Sequence, residues 1–338
     1  MVKRVLFRVD GGESVGMGHL VRSRALVAAL RERGAECRFV TVPAGAAQWL
    51  ASRGEPVERL DTRAGSADDA RAVVELVRQW GPCCVVTDGC SFKEDYLNTL
   101  VQTGVPVAAI DDLAAWFFET ALVVNGGLGA KRLCYYAAPT TRLLVGPEYV
   151  LLRWNFRRPP RSWSSVRRVL ACFGGADPEN RLGVVLEAWS ELEKGPILDL
   201  LVGPAYSRLD ELRTAAAVRN VSTHHDLDGV ELVDVMANCD MAIASAGMVA
   251  CELAALGVPM ILVVCSEDQR ANAVTLAAAG AARLVEPFDR RRLLEAVREL
   301  VASPARLGAM GEAARRQVDG FGAERVAEAI LGIGGGRR

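Results

Sequence analysis

The sequence predicts an α/β protein built of two Rossmann-like parallel-sheet domains, and three observations carry that expectation. Short β-rich runs alternate with alanine-rich helical ones almost throughout, the pattern of parallel strands covered by helices. At 338 residues the chain is long for a single hydrophobic core. Near its midpoint, Arg153-Trp154-Asn155-Phe156-Arg157-Arg158-Pro159-Pro160-Arg161-Ser162 joins two prolines to a basic cluster and fits neither period, and a new βαβ series begins after it. The expected organisation is a first domain over 1–157, a linker over 158–165, a second, nucleotide-type domain over 166–320, and a C-terminal helix with a disordered tail over 321–338.

The first strand is the apolar run 4–9, which ends at Asp10. Gly11-Gly12-Glu13-Ser14-Val15-Gly16-Met17-Gly18 then reads as a loop, and Leu20, Arg22, Ala25, Leu26, Ala29 and Leu30 recur at helical spacing up to Gly34. This unit is strand, loop, helix, with His19 in the first helical turn. Apolar runs of strand length mark further strands at 37–42, 83–87, 106–110, 121–124 and 142–145, and helical spacing marks 67–80 and 93–103. In the second half the same signal places strands at 166–173, 197–202, 221–224, 241–244, 259–264 and 282–285. The remainder is helical over 290–302 and 305–331, with a break at Asp319-Gly320-Phe321-Gly322.

Composition narrows the function. Forty lysines and arginines against 41 aspartates and glutamates leave a net charge of -1 with no long block of one sign, which argues against nucleic acid or an anionic membrane as principal partner and leaves a small ligand. Lys3-Arg4 precede an apolar run too short for a signal-peptide core, and the uncharged stretch 253–266 is interrupted by Gly257-Val258-Pro259, so no membrane span is expected and the protein is placed in the cytoplasm. Nine cysteines are present; Cys37, Cys83, Cys84, Cys172 and Cys265 lie in strand-like runs without Cys-x-x-Cys spacing and read as reduced, buried thiols. His224, His225 and Asp226 have no third partner at metal spacing, so no metal site is expected.

Four constellations fall where a strand ends and a helix begins, the place where open parallel sheets bind ligands. In the first, Gly16 and Gly18 allow close backbone approach to a ligand, and the positive end of the helix dipole favours neutral His19, which suits a general base; the plainer reading is a polar residue beside an N-cap. In the second, Cys172-Phe173-Gly174-Gly175-Ala176-Asp177-Pro178-Glu179-Asn180 can offer backbone N–H groups to a diphosphate, or be simply a tight turn before a helix. The third, Ser245-Ala246-Gly247 followed by Glu252, marks a helix start with room for phosphate oxygens; Glu252 is either a ribose acceptor or a solvated helix glutamate. The fourth is Cys265-Ser266-Glu267-Asp268-Gln269-Arg270-Ala271-Asn272, a polar cluster after a strand. Asp88 and Asp111-Asp112 also follow strands and face the same crevice if the sheet is parallel, unless they only cap helices.

The pattern Phe7-Arg8-Val9-Asp10, Gly16-Met17-Gly18-His19 and Arg22, with Phe173 through Asn180, Ser245-Ala246-Gly247, Glu252, Gly257 and Pro259, resembles the UDP-sugar hydrolases of nonulosonic (pseudaminic) acid biosynthesis, which are related in fold to the peptidoglycan N-acetylglucosaminyltransferase. The resemblance covers nearly the whole chain. It implies a GT-B-like architecture whose two domains face an interdomain cleft, with the sugar on the N-terminal domain and UDP held mainly by the C-terminal one. It also implies His19 as the catalytic residue, Asp10, Gly16, Gly18, Arg22, Asp88, Asp268 and Gln269 at the sugar, and Gly174, Gly175, Ser245, Ala246, Gly247 and Glu252 at the nucleotide. The chain departs from the family at Asp268, where Asn is frequent, and at Gly89-Cys90-Ser91, which lacks the usual His or Tyr.

The implied reaction cleaves the anomeric C–O bond of a UDP-2,4-diacetamido-2,4,6-trideoxyhexose type of substrate and releases UDP and free sugar, with His19 as base on water and no cofactor. UDP is a good leaving group, so the acid member of a glycosidase carboxylate pair is dispensable. Two alternatives stay open. One is a glycosyltransferase that passes the sugar to another acceptor, for which Trp116-Phe117-Phe118 is an apolar surface; the other is a non-catalytic nucleotide-sugar binding protein.

Overall fold

A computed structural model describes residues 2–12, 16–159, 165–192, 195–217 and 220–334. Glu13, Ser14 and Val15 of the first loop, 160–164 of the expected linker and 335–338 of the expected tail lie outside the described residues. Two compact units divide the chain, Met1–Arg153 together with Gly320–Arg338, and Trp154–Asp319.

In the first unit the elements run β1 (Arg4–Val9), α1 (Gly18–Arg31), β2 (Glu36–Thr41), α2 (Ala44–Ser52), β3 (Val57–Arg59), α3 (Ala67–Trp80), β4 (Cys84–Asp88), α4 (Glu94–Val101), β5 (Val107–Ile110), β6 (Phe117–Phe118), β7 (Leu122–Asn125), β8 (Tyr136–Ala137) and β9 (Arg142–Val145). Seven strands pair in parallel in the order β3-β2-β1-β4-β5-β7-β9, and β6 pairs with β8 in a separate ribbon. Strands of such a sheet are covered on both faces, which is why they read as unbroken apolar runs. Val5, Phe7 and Val9 face one core with Leu26 and Leu30 of α1, whereas Leu6 faces a second core with Val73, Val77 and Leu97. Ser66 accepts the Asp69 N–H at the start of α3, and Gly81, left-handed at φ +63°, ends it. The sequence gives no sign of β3 or α2: β3 is three residues at a half-exposed edge, and α2 is too alanine-rich to show a face. Of the aromatic triplet, Phe118 is buried and Phe117 exposed.

The second unit continues with β10 (Arg168–Cys172), α5 (Arg181–Ser190), β11 (Ile197–Val202), α6 (Leu209–Ala216), β12 (Val221–His225), α7 (Gly229–Asn238), β13 (Met241–Ser245), α8 (Met248–Leu256), β14 (Met260–Val263), α9 (Arg270–Ala278), β15 (Ala282–Leu284), α10 (Arg290–Val301) and α11 (Pro304–Gln317). Its six parallel strands lie in the order β12-β11-β10-β13-β14-β15. Part of the segment read as irregular from its prolines forms a 3-10 turn, Trp154–Phe156, and Asn155 Nδ2 donates to the Gly229 carbonyl at 3.1 Å within this unit. The last helix, α12 (Gly322–Ile333), belongs to the first unit: Val326, Ala327 and Ile330 join the core of Val5 and Phe7.

Both sheets reverse direction beside their first strand. Connections lead from β1 to β2 and β3 on one side and then to β4 on the other, and likewise from β10 to β11 and β12 and then to β13. Such a switch point opens a crevice at the carboxyl ends of the two strands concerned. Among the described residues no helix is long and apolar enough to cross a membrane. Among the described residues no disulfide joins any of the nine cysteines, and burial pushes the Cys37 and Cys172 thiols up to about 12, so neither is a nucleophile near neutrality.

Beneath the first switch point lies a buried ionic cluster. Arg8 is fully buried; its Nε and Nη2 donate to the two oxygens of Asp69 at 2.9 and 2.7 Å, its Nη1 donates to Asp10 at 2.6 Å, and Phe92 covers the guanidinium at 4.8 Å. Asp69 also accepts from Tyr96 Oη at 3.0 Å and from the Gly65 N–H at 2.8 Å. Removing one partner of a buried pair leaves the other charged and unsatisfied. Asp69→Ala is expected to destabilise the protein by about 3–5 kcal/mol in urea unfolding, and a loss under about 1 kcal/mol would show that the cluster is not a structural tie.

Candidate functional site

In the first unit, register places Val9 opposite Asp88, so the loop leaving β1 and the last residue of β4 meet at one end of the sheet. Gly16 bridges back to Gly12, with N···O distances of 3.2 and 2.7 Å, and takes φ +80°, a value that favours glycine. Gly18 opens α1, exposed, and His19 follows it.

His19 Nδ1 lies 2.7 Å from Asp88 Oδ1 and 3.0 Å from Arg22 Nη2. One nitrogen of a neutral ring cannot both donate and accept. A carboxylate only accepts, and two lone pairs facing each other at that distance would repel, so Nδ1 carries the proton. Arg22 Nη2 needs no acceptor on the ring, because Asp88 Oδ1 at 2.6 Å and Asp112 Oδ2 at 2.8 Å take its two hydrogens. Nε2 therefore holds the lone pair, the tautomer a general base requires.

Asp88 is itself tightly held. Arg22 Nε and Ser23 Oγ both donate to its Oδ2 at 2.9 Å. Burial works to push the carboxyl up, but the charges of Arg22 and His19 and their hydrogen bonds outweigh it and hold the group well below the ordinary carboxylate range. It is thus a permanent counter-charge for the imidazolium that forms when Nε2 takes a proton.

Two residues expected at the sugar take part in hydrogen bonds within this unit. Arg22 donates to both Asp88 and Asp112 and so orders the two carboxylates. Asp10 Oδ1 accepts from Arg8, from Thr41 Oγ1 at 3.0 Å and from the Val42 N–H at 2.9 Å, tying β1 to β2; Asp10 Oδ2 is buried and has no partner among the described residues.

In the second unit the other three constellations lie at the carboxyl ends of the adjacent strands β10, β13 and β14. Gly174, at φ +86°, and Gly175 form the turn after β10, and Gly203 packs so closely on them that a Cβ there would overlap their backbone. Asp177 accepts the Arg181 and Leu182 N–H groups at 2.9 Å each, and burial pushes its carboxyl up against these bonds. The first N–H groups of α5 are therefore occupied, and this strand offers the glycine turn rather than a helix end. Tyr206 Oη donates to Asn180 Oδ1 at 2.6 Å and braces the same loop.

Ser245 ends β13, buried. The N–H of Ala246, a residue expected at the diphosphate, donates to the Val263 carbonyl, and its own carbonyl accepts from Asn272 Nδ2, both at 3.1 Å, which seats the turn. Gly247 caps α8 without a side-chain partner, and a Cβ there would stand 3.4 Å from Gln269 Nε2. The Cys265 N–H donates to Gln269 Oε1 at 3.2 Å, which fixes the amide in that position. Glu252 is buried on α8 rather than solvated, whereas Asp268 is exposed in the 3-10 turn Glu267–Gln269. Sequence reasoning gave Ser23 and Gly203 no role; for Ser23 the available signal was its spacing of four from His19 on one helix.

His224 stands apart from both groups. Its Nε2 is 3.0 Å from Asp199 Oδ1, which also accepts from Arg168 at 2.7 Å. Among the described residues no group of three His, Cys, Asp or Glu side chains could hold a metal ion.

Residues 215–329 match the model of the glycosyltransferase family 28 C-terminal domain. The chain is 22% identical over 285 residues to an uncharacterized protein of Methanocaldococcus jannaschii, with 79% of this chain and 57% of that protein covered, so it spans little more than half of that relative. It is 24% identical over 332 residues to the spore coat polysaccharide biosynthesis protein SpsG of Bacillus subtilis, with 94% of each covered. Among solved structures, Acinetobacter baumannii MurG is similar with a TM-score of 0.68 at 16% identity, over 98% of this chain and 99% of that one. The MnaA-UDP structure of S. aureus gives 0.69 at 13% identity over 98% of each. The fold is a two-domain, GT-B-like α/β fold with parallel sheets.

The depressed Asp88 carboxyl has a sign in stability. Its contribution is present above the ordinary carboxyl range and is lost as pH falls toward the value held in the fold. Asp88→Asn is expected to unfold at lower urea than wild type near neutrality, with the gap closing below about pH 4. A gap that did not change with pH would contradict the charge arrangement.

Proposed function

We propose that this chain hydrolyses a UDP-linked acetamido deoxysugar at the anomeric carbon, with the first unit carrying the chemistry and the second holding UDP. The observation that carries the reading is the 2.7 Å contact between His19 Nδ1 and the buried Asp88, which leaves Nε2 as an acceptor at the mouth of a strand–loop–helix turn. In this mechanism a water oxygen attacks the anomeric carbon while Nε2 takes its proton, and the bond from that carbon to the UDP oxygen breaks with the electron pair leaving on UDP. Asp88 stabilises the imidazolium, and a later exchange with solvent returns the proton. The glycine turn at Gly174 and Gly175 and the uncapped start of α8 at Gly247 are suited to the diphosphate charge. Gln269, whose amide lies beside Gly247, is proposed to donate to the same group or to the sugar. Glu252 is proposed at the ribose.

The full-length similarity to a spore coat polysaccharide biosynthesis protein and the fold shared with a protein solved with UDP support this reading. A second reading is favoured by one specific observation, the match of 215–329 to a glycosyltransferase domain. In it the same base acts on an acceptor hydroxyl instead of water.

UDP release from a panel of UDP-linked acetamido sugars with no acceptor added is expected, with a free reducing sugar seen by proton NMR. Release only after an acceptor extract is supplied would establish the transferase. In either case His19→Ala should lower kcat by about 10²–10⁴ with UDP affinity unchanged, and full activity in that variant would remove His19 from the chemistry.

A further inference from the structure

We infer that Asp112, a residue with no expected contact to substrate, is a positioning residue that lets the charge of Asp88 act on His19. The inference rests on the reading of His19 as general base. Arg22 grips Asp88 with Nε and Nη2, and that pair taken alone is neutral: it offers the ring an acceptor atom but little net field. Asp112 binds the outer side of the same guanidinium, accepting from Nη1 at 2.7 Å and from Nη2 at 2.8 Å. One cation between two carboxylates leaves the cluster with a single net negative charge beside a neutral His19. Proton uptake at Nε2 brings it to neutrality. Without Asp112 the cluster would start neutral and end with a positive charge in a largely buried place, a less favourable course for a base.

The turn that carries Asp112 is built to hold it there. Asp111, directly after β5, accepts the N–H groups of Leu113 and Ala114 at 3.0 and 2.7 Å and the Tyr135 hydroxyl at 2.8 Å. Asn125 Nδ2 donates to that hydroxyl at 2.8 Å, which extends the brace to the end of β7. Among the described residues, Asp88 on β4 and Arg22 on its own helix contact His19 and Asp112 on this turn reaches it through Arg22, whereas Asp10 after β1 is engaged with Arg8 and β2. The Asp112 side chain is 40% exposed, so its removal opens no core, and solvent moderates its effect.

The test compares wild type with Asp112→Asn, which keeps the shape and removes the charge, and with Asp112→Glu, which restores it. Two readouts are taken: the pH profile of UDP-sugar turnover, and the pH course of the His19 ring signals by NMR, assigned by their absence in His19→Gln. Losing a negative charge disfavours the protonated ring, so in Asp112→Asn both the acid limb of the profile and the ring transition should move to lower pH by about half a unit, a ~3-fold change in proton affinity. Turnover should fall with KM little changed, and Asp112→Glu should recover most of both. A folded Asp112→Asn with an unmoved ring transition would overturn the inference while leaving His19 as base. A moved transition together with undiminished turnover by His19→Ala would instead overturn the base reading, and with it the role of Asp112 in the reaction.

Discussion

The first unit depends on one buried carboxylate. Asp88 is inaccessible to solvent at the end of β4, and a carboxylate in that position must be satisfied by donors or it would not stay ionised. The donors all come from one helix: His19, Arg22 and Ser23 on α1. That requirement fixes how α1 is rotated and how far along the sheet it sits, and it settles the tautomer of the histidine as a by-product. The bonds that orient the His19 ring are here the same ones that hold α1 against the sheet. The Arg8 cluster plays the corresponding part on the opposite face of β1, where it ties β1 to α3 and, through Asp10, to β2.

The second unit solves a different problem. There the end of the sheet is shaped by close backbone approach. Gly203 against Gly175, Asn272 on the Ala246 carbonyl and Asp177 over the start of α5 hold two turns and use up the polar groups that would compete with a ligand for position. Two sheets with the same reversal of strand order thus carry unlike equipment at their switch points: a charged histidine cluster in one, a glycine turn and an uncapped helix in the other.

Much of this was legible before the structure. The parallel α/β layering followed from the alternation of apolar and helical runs, and His19 in the first turn followed from the spacing of Leu20, Leu26 and Leu30 after Gly16-Met17-Gly18. What was not legible was which distant groups would meet. His19 and Asp88 are 69 residues apart, and their contact depends on β4 lying beside β1 in one register. For the same reason nothing in the sequence paired Arg22, which the resemblance puts at the sugar, with Asp88 at the end of β4 and Asp112 in the turn after β5. The bond from the Ala246 N–H to the Val263 carbonyl was equally hidden, because it depends on β14 lying beside β13. Glu252 stayed open between a ribose acceptor and a solvated helix glutamate, since nothing local shows that α8 is buried on nearly every side. Three-residue β3 and alanine-rich α2 lack enough alternation or amphipathicity to register at all.

The central claim is that Asp88 fixes the neutral His19 ring with its proton on Nδ1. Long-range ¹H–¹⁵N correlation of the imidazole in uniformly labelled protein, at a pH where the ring is neutral, reads this directly and independently of any substrate. The account predicts a protonated Nδ1 and an unprotonated Nε2 for His19, reverting to a mixture in Asp88→Asn. A wild-type ring with its proton on Nε2 would contradict it, because that nitrogen could then accept nothing from an attacking water.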